Sequence, residues 1–149
     1  MILYLDSSAL VKLFVEEEGS REVRAAVDAA ADCYTHLIAY AEVRAALAKA
    51  LRMGRASPEQ LEQHKRELAE IWQALGIVLP DEALIRQAGD LAEQFALRGY
   101  DSVHLAAAFS LASRLDRAVD FRFSAFDHAL LGAARSLGMR SVGPSAAPP

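Results

Sequence analysis

Short apolar segments alternate with longer amphipathic ones along the chain, and this alternation predicts strands separated by helices. Strands are predicted for five short segments bounded by capping residues, glycine or proline: 2–5, 33–35, 77–79, 119–123 and 139–142. The segments between them predict helices from helical spacing, capping residues and glycine stops: 6–15, 20–31, 37–51, 57–75, 81–98, 100–114 and 126–137. The pattern therefore predicts an α/β sandwich around a mostly parallel sheet.

The fourth of these helices has the clearest start. Ser57 precedes Pro58 and Gln60, so that serine caps the helix, proline takes its first position and glutamine completes a capping box. Neither an internal repeat nor a linker interrupts the overall pattern. Residues 1–142 are therefore predicted to form a single domain, followed by a disordered tail at 143–149.

Composition narrows the class of protein. The chain has 149 residues, of which 53% are hydrophobic and 24% charged, an ordinary globular balance. Its one cysteine, Cys33, cannot form an internal disulfide, and the absence of a Cys/His cluster excludes a structural zinc site. No uncharged stretch approaches the roughly 20 residues that span a bilayer, and no basic segment precedes the first apolar residues. We therefore expect a cytoplasmic protein without membrane attachment.

The net charge argues against one mode of nucleic-acid binding. It is −4, so the chain does not coat nucleic acid through bulk positive charge. The same charge is compatible with an enzyme that holds a phosphodiester through metal ions and a few arginines. The chain contains no GxGxxG, P-loop, HExxH or GxSxG motif. The candidate chemistry therefore lies in acidic residues at unusual places.

Two acidic residues follow predicted strands. Asp6 comes directly after the first strand, and Asp127 comes shortly after the fourth. Ligands of open α/β sheets bind outside the carboxyl ends of the strands, where both carboxylates would lie. Each residue could instead simply cap the helix that follows it, because aspartate is a preferred N-cap. The residues alone leave both interpretations open.

Two further acids occur in apolar helices. Glu42 has no cation three or four positions away, so no pair within its helix explains it, although a solvated side chain is the usual alternative. Asp101 opens a helix whose next twelve residues carry no charge. An acid in the first turn suits the helix dipole, but a carboxylate beside an apolar core needs a partner. His104, one turn later, is expected to be packed or hydrogen-bonded rather than a ligand.

Together the four acids predict a metal site. Carboxylates that converge on one cleft repel one another unless a cation lies between them. Oxygen ligands suit hard ions such as Mg²⁺ or Mn²⁺, and such a site suits in-line displacement at phosphorus. Arg44 and Arg98 lie close in sequence to the second and third acids. They are candidates for phosphate contacts at the rim, with a solvated arginine as the alternative for each.

Four segments of the chain resemble the acidic blocks of PIN-domain ribonucleases, above all the VapC-type toxins of bacterial and archaeal type II toxin–antitoxin pairs. They are LDSSALVKLFVEEEGS, AYAEVRAALAKALRMG, LRGYDSVHLAAA and FSAFDHALLGAARSLGM, and the similarity runs from residue 1 to about 142. The resemblance implies a PIN-like three-layer α/β/α sandwich. It also implies a metal-dependent endoribonuclease that is commonly dimeric and is neutralised by a small antitoxin whose tail covers the acidic cleft.

The resemblance also implies roles for particular residues. The family's catalytic and metal-binding acids fall on Asp6, Glu42, Asp101 and Asp127, with Mg²⁺ or Mn²⁺ as the expected cofactor. Ser8 matches a small hydroxyl residue after the first acid, where it is expected to support that acid beside the substrate. The family often has a hydroxyl two positions before the fourth acid, where this chain has Ala125, with Ser124 one place earlier.

Two other functions remain open at this stage. A PIN nuclease of RNA maturation or DNA processing would use the same site on a different substrate. A binding module would keep the fold without catalysis, and the presence of all four acids argues against it. The expected partners of the leading function are an RNA substrate, a small antitoxin protein and a second copy of the chain.

Overall fold

The computed structural model describes residues 1–144, which form strands and helices in alternation. The strands are Ile2–Leu5 (β1), Asp32–His36 (β2), Gly76–Val78 (β3), Phe121–Ser124 (β4) and Arg140–Val142 (β5). The helices are Ser7–Val11 (α1), Ser20–Ala29 (α2), Ala39–Arg52 (α3), Pro58–Ala74 (α4), Glu82–Phe95 (α5), Gly99–Ala112 (α6) and His128–Ser136 (α7). Most of the tail predicted to be disordered, 145–149, lies outside the described residues.

The five strands form one sheet in the order β3-β2-β1-β4-β5. Every neighbouring pair is parallel, with Leu3 opposite Cys33 on one side of β1 and Leu5 opposite Ser124 on the other. Parallel neighbours need crossover connections, which the helices supply. The predicted α/β class with a mostly parallel sheet is confirmed.

Apolar side chains cover both faces of this sheet. Tyr4 and Phe123 project to one face, where α5, α6 and α7 close a core around them. Leu3 and Leu5 project to the other face, against α1, α2, α3 and α4. All four of these side chains are completely buried, and each contributes about 1.5–3 kcal/mol of hydrophobic stabilisation. Two helical layers around one sheet make the three-layer α/β/α sandwich that was predicted.

The order of the strands creates a crevice beside β1. From β1 the chain moves outward to β2 and β3, and it then returns to place β4 on the opposite side of β1. Connections from β1 and β4 therefore leave the sheet in different directions at their carboxyl ends. Such a topological switch point is where open α/β sheets bind their ligands.

Several element boundaries differ from the sequence prediction. The first helix ends at Val11 rather than near 15, and the chain continues through turns that bury Phe14. Helix α5 ends at Phe95 because Ala96 adopts the left-handed conformation, with φ of 53°. Gly99, predicted to stop that helix, instead begins α6.

One further correction concerns the start of β3. Gly76, predicted as a helix stop, is the first residue of β3, and a β-carbon there would overlap the ring of Tyr34 on the neighbouring strand. The predicted capping box at Ser57 is present. Across the described residues, none of the helices is both long enough and apolar enough to cross a bilayer.

Candidate metal centre

Asp6 lies directly beyond β1 and is almost completely buried, with 3% of its surface exposed. One carboxylate oxygen accepts the amide of Ala9 at 2.8 Å and so caps α1. The hydroxyl of Ser8 lies 2.7 and 2.9 Å from the two carboxylate oxygens, to which it donates. Capping therefore accounts for one oxygen of Asp6 and leaves the burial of the whole carboxyl group to be explained.

Burial makes the ionised form of Asp6 unfavourable. The pKa of this carboxyl is raised from 3.8 to about 6, chiefly by desolvation and to a smaller extent by the nearby charge of Asp101. His104, the Ala9 amide and the Ser8 hydroxyl each lower the pKa without cancelling the effect of burial. A buried carboxylate of this kind gains from any cation placed beside it.

Glu42 lies in the first turn of α3 and has two hydrogen-bond donors from other elements. The hydroxyl of Ser7 donates to its Oε1 at 2.5 Å, and Nε2 of His104 lies 2.8 Å from the same atom. Burial raises the pKa of Glu42, but the hydrogen bonds from His104 and Ser7 outweigh it and hold the pKa below its usual value. Glu42 is therefore an ionised acceptor, as a metal ligand would have to be.

His104 is packed and hydrogen-bonded, with only 1% of it exposed, and its not being a metal ligand stays a prediction. Its Nε2 contacts Glu42 and lies 3.0 Å from the hydroxyl of Ser7, while Nδ1 lies 3.0 Å from the hydroxyl of Tyr4. The sequence analysis did not identify Tyr4 or Ser7 as residues of the site. The position of Tyr4 inside a buried strand could have indicated its role, because a buried hydroxyl requires a hydrogen-bond partner.

Asp101 and Asp127 lie on either side of one arginine. Asp101 accepts a hydrogen bond from Nε of Arg98 at 2.8 Å. Nη2 of the same guanidinium lies 4.0 Å from the carboxylate of Asp127. Asp127 also caps α7, accepting the amide of Leu130 at 2.9 Å. In the described chain, then, Arg98 places its positive charge between these two acids.

Contacts among neighbouring residues bring the four acids to one end of the sheet. Ser8 contacts Asp6 and also accepts the backbone amide of Phe126, immediately before the fourth acid. His104 contacts Glu42 from a position one turn beyond the third acid on α6. This end of the sheet is the crevice at the topological switch point.

Arg44 lies elsewhere. Its guanidinium is 3.4 Å from the hydroxyl of Tyr40 and 5.8 Å from the centre of that ring. Because it is two residues from Glu42, it points to a different side of α3. The structure thus brings Arg98 to the acids but not Arg44, and a phosphate contact by Arg44 stays a prediction.

The hydroxyl that the family resemblance places two residues before Asp127 is absent, because Ala125 occupies that position. Ala125 is completely buried in the apolar core. The hydroxyl of Ser124 is buried as well and has no hydrogen-bond partner among the described residues. The hydroxyl of Ser124 therefore does not bond to Asp127, and Ala125 has no hydroxyl to offer.

An open groove of about 700 Å³ begins at Glu42, Arg98 and Asp101 and runs between α5 and α6, with apolar walls that include Ala88 and Val103. Two surface cavities of about 810 and 830 Å³ lie elsewhere, and none of the four acids lines either of them. Glu42 and Asp101 line the first groove, which we call the acidic groove, whereas Asp6 and Asp127 lie outside its lining. Chemistry rather than volume therefore identifies the end of this groove, where the acids lie, as the candidate site.

The donor set fits a hard divalent cation. Carboxylate oxygens are the ligands that Mg²⁺ and Mn²⁺ prefer, and Asp6 is buried where its own ionisation is unfavourable without a cation. Among residues 1–144, no three or more aspartate, glutamate, histidine or cysteine side chains are already gathered around one point.

Comparison with known proteins finds one matching domain family and several relatives of similar sequence. The sequence pattern of the PIN domain matches residues 3–129. Ribonuclease VapC49 of Mycobacterium tuberculosis is 38% identical over 110 residues, which cover 74% of this chain and 76% of that protein. Ribonuclease VapC46 of the same organism is 34% identical over 143 residues, covering 96% of this chain and 98% of the relative.

Solved structures show the same fold. The FitAcB crystal structure from Neisseria gonorrhoeae contains a chain with a TM-score of 0.67 and 19% identity, covering 95% of this chain and 96% of that one. A toxin–antitoxin complex from Klebsiella pneumoniae contains a chain with a TM-score of 0.58 and 18% identity, covering 87% and 89%. At these identities the likeness concerns the fold.

Proposed function

The chain belongs to the PIN-domain family, and on that basis we propose that it is a metal-dependent endoribonuclease, the toxin of a toxin–antitoxin pair. The observation that carries the proposal is the buried Asp6 at the end of β1, with the three other family acids at the same end of the sheet. The names of its ribonuclease relatives support RNA as the substrate.

Asp6, Glu42, Asp101 and Asp127 are the residues that would hold Mg²⁺ or Mn²⁺. A bound divalent cation would lower the pKa of a water molecule and neutralise charge on the phosphate and the leaving oxygen. The chain's own part is to present ionised oxygens at fixed positions. Ser8 and the Ala9 amide hold Asp6, and two donors hold the second acid.

Arg98 has a different role in this proposal. It is 80% exposed and neutralises Asp101 in the metal-free protein. When a cation takes over that neutralisation, the guanidinium becomes available for a phosphate oxygen, which it contacts in bidentate fashion better than lysine does. Ser8 is proposed to keep its hydrogen bond to Asp6 while it lies beside the bound substrate. Arg44 remains a more remote candidate for a phosphate contact.

The proposed partners follow from the family. We propose a small antitoxin whose tail enters the acidic groove, and assembly of the chain as a homodimer in the cytoplasm. The Klebsiella pneumoniae complex, described as a toxin with its antitoxin, supports the first partner. We propose that residues 1–142 form the single PIN-like domain that carries these functions.

An RNA-cleavage assay tests the proposal. The purified chain is incubated with a panel of structured RNAs in EDTA, Mg²⁺ or Mn²⁺, beside Asp101→Asn and the control Asp90→Asn, whose carboxylate is exposed on α5. We expect cleavage with either metal by the wild type and by the control, and none in EDTA or with Asp101→Asn.

Other outcomes of the same assay identify the alternatives. With DNA substrates of matched length added to the panel, cleavage of DNA in preference to RNA would indicate a PIN nuclease of DNA processing. RNA binding without cleavage under every metal condition would indicate a binding module and would overturn the proposed enzyme.

A further inference from the structure

The structure contains a buried hydrogen-bonded chain that runs through three layers of the fold to one acid. It begins at Tyr4 on β1, passes through His104 on α6 and ends at Glu42 on α3, with Ser7 of α1 alongside. Tyr4 is completely buried and its ring stacks on Phe123, with the ring centres 5.6 Å apart. The far end of the chain is thus anchored in the core.

Hydrogen-bond chemistry fixes the direction of this chain. A carboxylate can only accept, and Nε2 of His104 lies 2.8 Å from Oε1 of Glu42, so the proton between the two atoms belongs to Nε2. The phenol hydroxyl of Tyr4 carries a proton and lies 3.0 Å from Nδ1 of the same ring. That proton points to Nδ1 of His104, which is then the acceptor nitrogen of a neutral ring.

Both donors act on one oxygen of the glutamate. Nε2 of His104 and the hydroxyl of Ser7 converge on Oε1, whereas Oε2 has no hydrogen-bond donor among the described residues. A glutamate on a helix surface ordinarily samples several rotamers. Here Oε1 is held by two donors of the core, so Oε2 is left without a donor among the described residues and can take another ligand.

We propose that His104 is a positioning residue for Glu42, to which it donates the proton on Nε2 while Tyr4 holds its Nδ1. The inference rests on the proposed function only in assuming that Glu42 is a metal ligand. Partners of this kind orient ligating carboxylates, and their loss typically costs about 10–100-fold in metal affinity or activity.

Nuclear magnetic resonance of the metal-free protein tests the tautomer without any activity. In protein labelled with ¹⁵N in its histidines, we expect Nε2 of His104 to be the protonated nitrogen and Nδ1 the unprotonated one. In Tyr4→Phe, Glu42 still accepts from Nε2, so the tautomer should persist while the Nδ1 resonance shifts, because that nitrogen loses its donor. A proton on Nδ1 in the wild type would overturn the proposal.

Metal binding tests the positioning role. We expect His104→Leu, which keeps the volume but has no donor, to weaken Mn²⁺ binding about 10–100-fold. His104→Gln, which can place an N–H near the position of Nε2, should recover at least part of that loss. In the background of Glu42→Gln, the leucine substitution should cause no further loss, because the acid that it positions is gone.

His64→Leu serves as the matched control, because it makes the same substitution at a half-buried histidine on α4. Nδ1 of His64 lies 3.3 Å from Oε2 of Glu67, and its ring lies edge-on to that of Phe14, so its contacts are away from the four acids. We expect its Mn²⁺ affinity to match that of the wild type. Equal losses in His64→Leu and His104→Leu, or an equal further loss in the Glu42→Gln background, would show a packing role and overturn the proposal.

RNA cleavage separates this inference from the proposed function. A wild type that binds Mn²⁺ in the expected pattern but cleaves no RNA would contradict the ribonuclease and leave the positioning role supported. An active ribonuclease whose Mn²⁺ affinity is unchanged in His104→Leu would contradict only the positioning role.

Discussion

At the scale of single residues, the carboxyl group of Asp6 serves the fold and the proposed chemistry at once. It caps α1 through the Ala9 amide, which stabilises the start of that helix. Its burial opposes ionisation, and this is the cost that a bound cation would offset. Capping raises the free energy of unfolding and burial of the charge lowers it, so a substitution that keeps the cap but removes the charge separates the two effects.

Asp6→Asn is expected to stabilise the metal-free protein at neutral pH. The pKa of Asp6 is about 6 in the folded protein against an ordinary 3.8, so the folded state holds this proton more tightly than the unfolded chain does. Wild-type stability therefore falls as the pH rises from about 4 to about 6, by up to about 3 kcal/mol. Asparagine can keep the cap without the charge, so its advantage should appear above pH 6 and vanish below pH 4. Denaturant unfolding in EDTA across this range measures it.

Glu42→Gln is the matched comparison, because the pKa of Glu42 is shifted the other way. Hydrogen bonds from His104 and Ser7 hold this pKa below its usual value despite burial. The loss of a charged acceptor should therefore destabilise the metal-free protein at neutral pH, by about 1 kcal/mol. A destabilised Asp6→Asn at pH 7 would contradict the account and show that Asp6 acts chiefly as a cap.

At the scale of elements, the amino-terminal turn of α6 brings a cation and an acid together. Arg98 precedes the helix and contacts the carboxylate of Asp101 inside it. Its charge also lies near Asp127, at the start of α7. The ends of two helices are thus bridged by an exposed side chain, in the place where the proposed metal would bind.

Arg98→Ala is expected to tighten Mn²⁺ binding at low salt while weakening RNA binding. The ion pairs of this exposed side chain are weak because solvent screens them, so Mn²⁺ affinity should rise by no more than about fivefold. Arg98→Lys keeps the charge and should show a smaller effect on the metal. Calorimetric titration with Mn²⁺ measures the first effect, and the KM for RNA measures the second. Weaker Mn²⁺ binding by the alanine variant would contradict competition between the guanidinium and the metal.

Element type could be predicted from the sequence better than element boundaries. The alternation of apolar strands and amphipathic helices was sufficient for the fold class, and Ser57 was sufficient for the start of α4. The end of α5 was missed because alanine, rather than glycine, adopts the left-handed conformation at Ala96. Gly76 was misjudged because its role depends on the ring of Tyr34, which is 42 residues distant in sequence.

Sequence and the family resemblance predicted the acids of the candidate site and Ser8 as the support of Asp6, but not the residues that support Glu42 and His104. Asp6 and Asp127 were recognisable from their places after strands, and the family resemblance supplied the set of four. Ser7 and Tyr4 support Glu42 and His104 through contacts between elements, which no local pattern reveals. Their roles depend on tertiary packing at the carboxyl end of the sheet.

At the scale of the whole molecule, strand order explains why acids that are distant in sequence lie at the same end of the sheet. Asp6 and Asp127 are 121 positions apart, yet β1 and β4 are neighbours in the sheet. The crossovers bring α3 and α6 to the same end, so Glu42 and Asp101 join them. This concentrates negative charge in a chain whose net charge is already −4.

Binding of the proposed antitoxin should therefore depend on Mg²⁺ specifically. If a basic side chain of the antitoxin enters the acidic groove, Mg²⁺ competes with it for the same carboxylates. Mg²⁺ should then weaken the complex more than NaCl at equal ionic strength does. Binding titrations of the purified partners in the two salts measure the difference, and equal weakening would indicate general screening instead.

The location of a bound metal tests the central claim most directly. A crystal of the protein soaked in Mn²⁺, measured with X-rays near the manganese absorption edge, would show the ion through its anomalous scattering. We predict an anomalous peak among Asp6, Glu42 and Asp101, in contact with their carboxylate oxygens, and its loss in crystals of Asp101→Asn. A strong peak elsewhere on the molecule, or none at this end of the sheet under saturating Mn²⁺, would contradict the account.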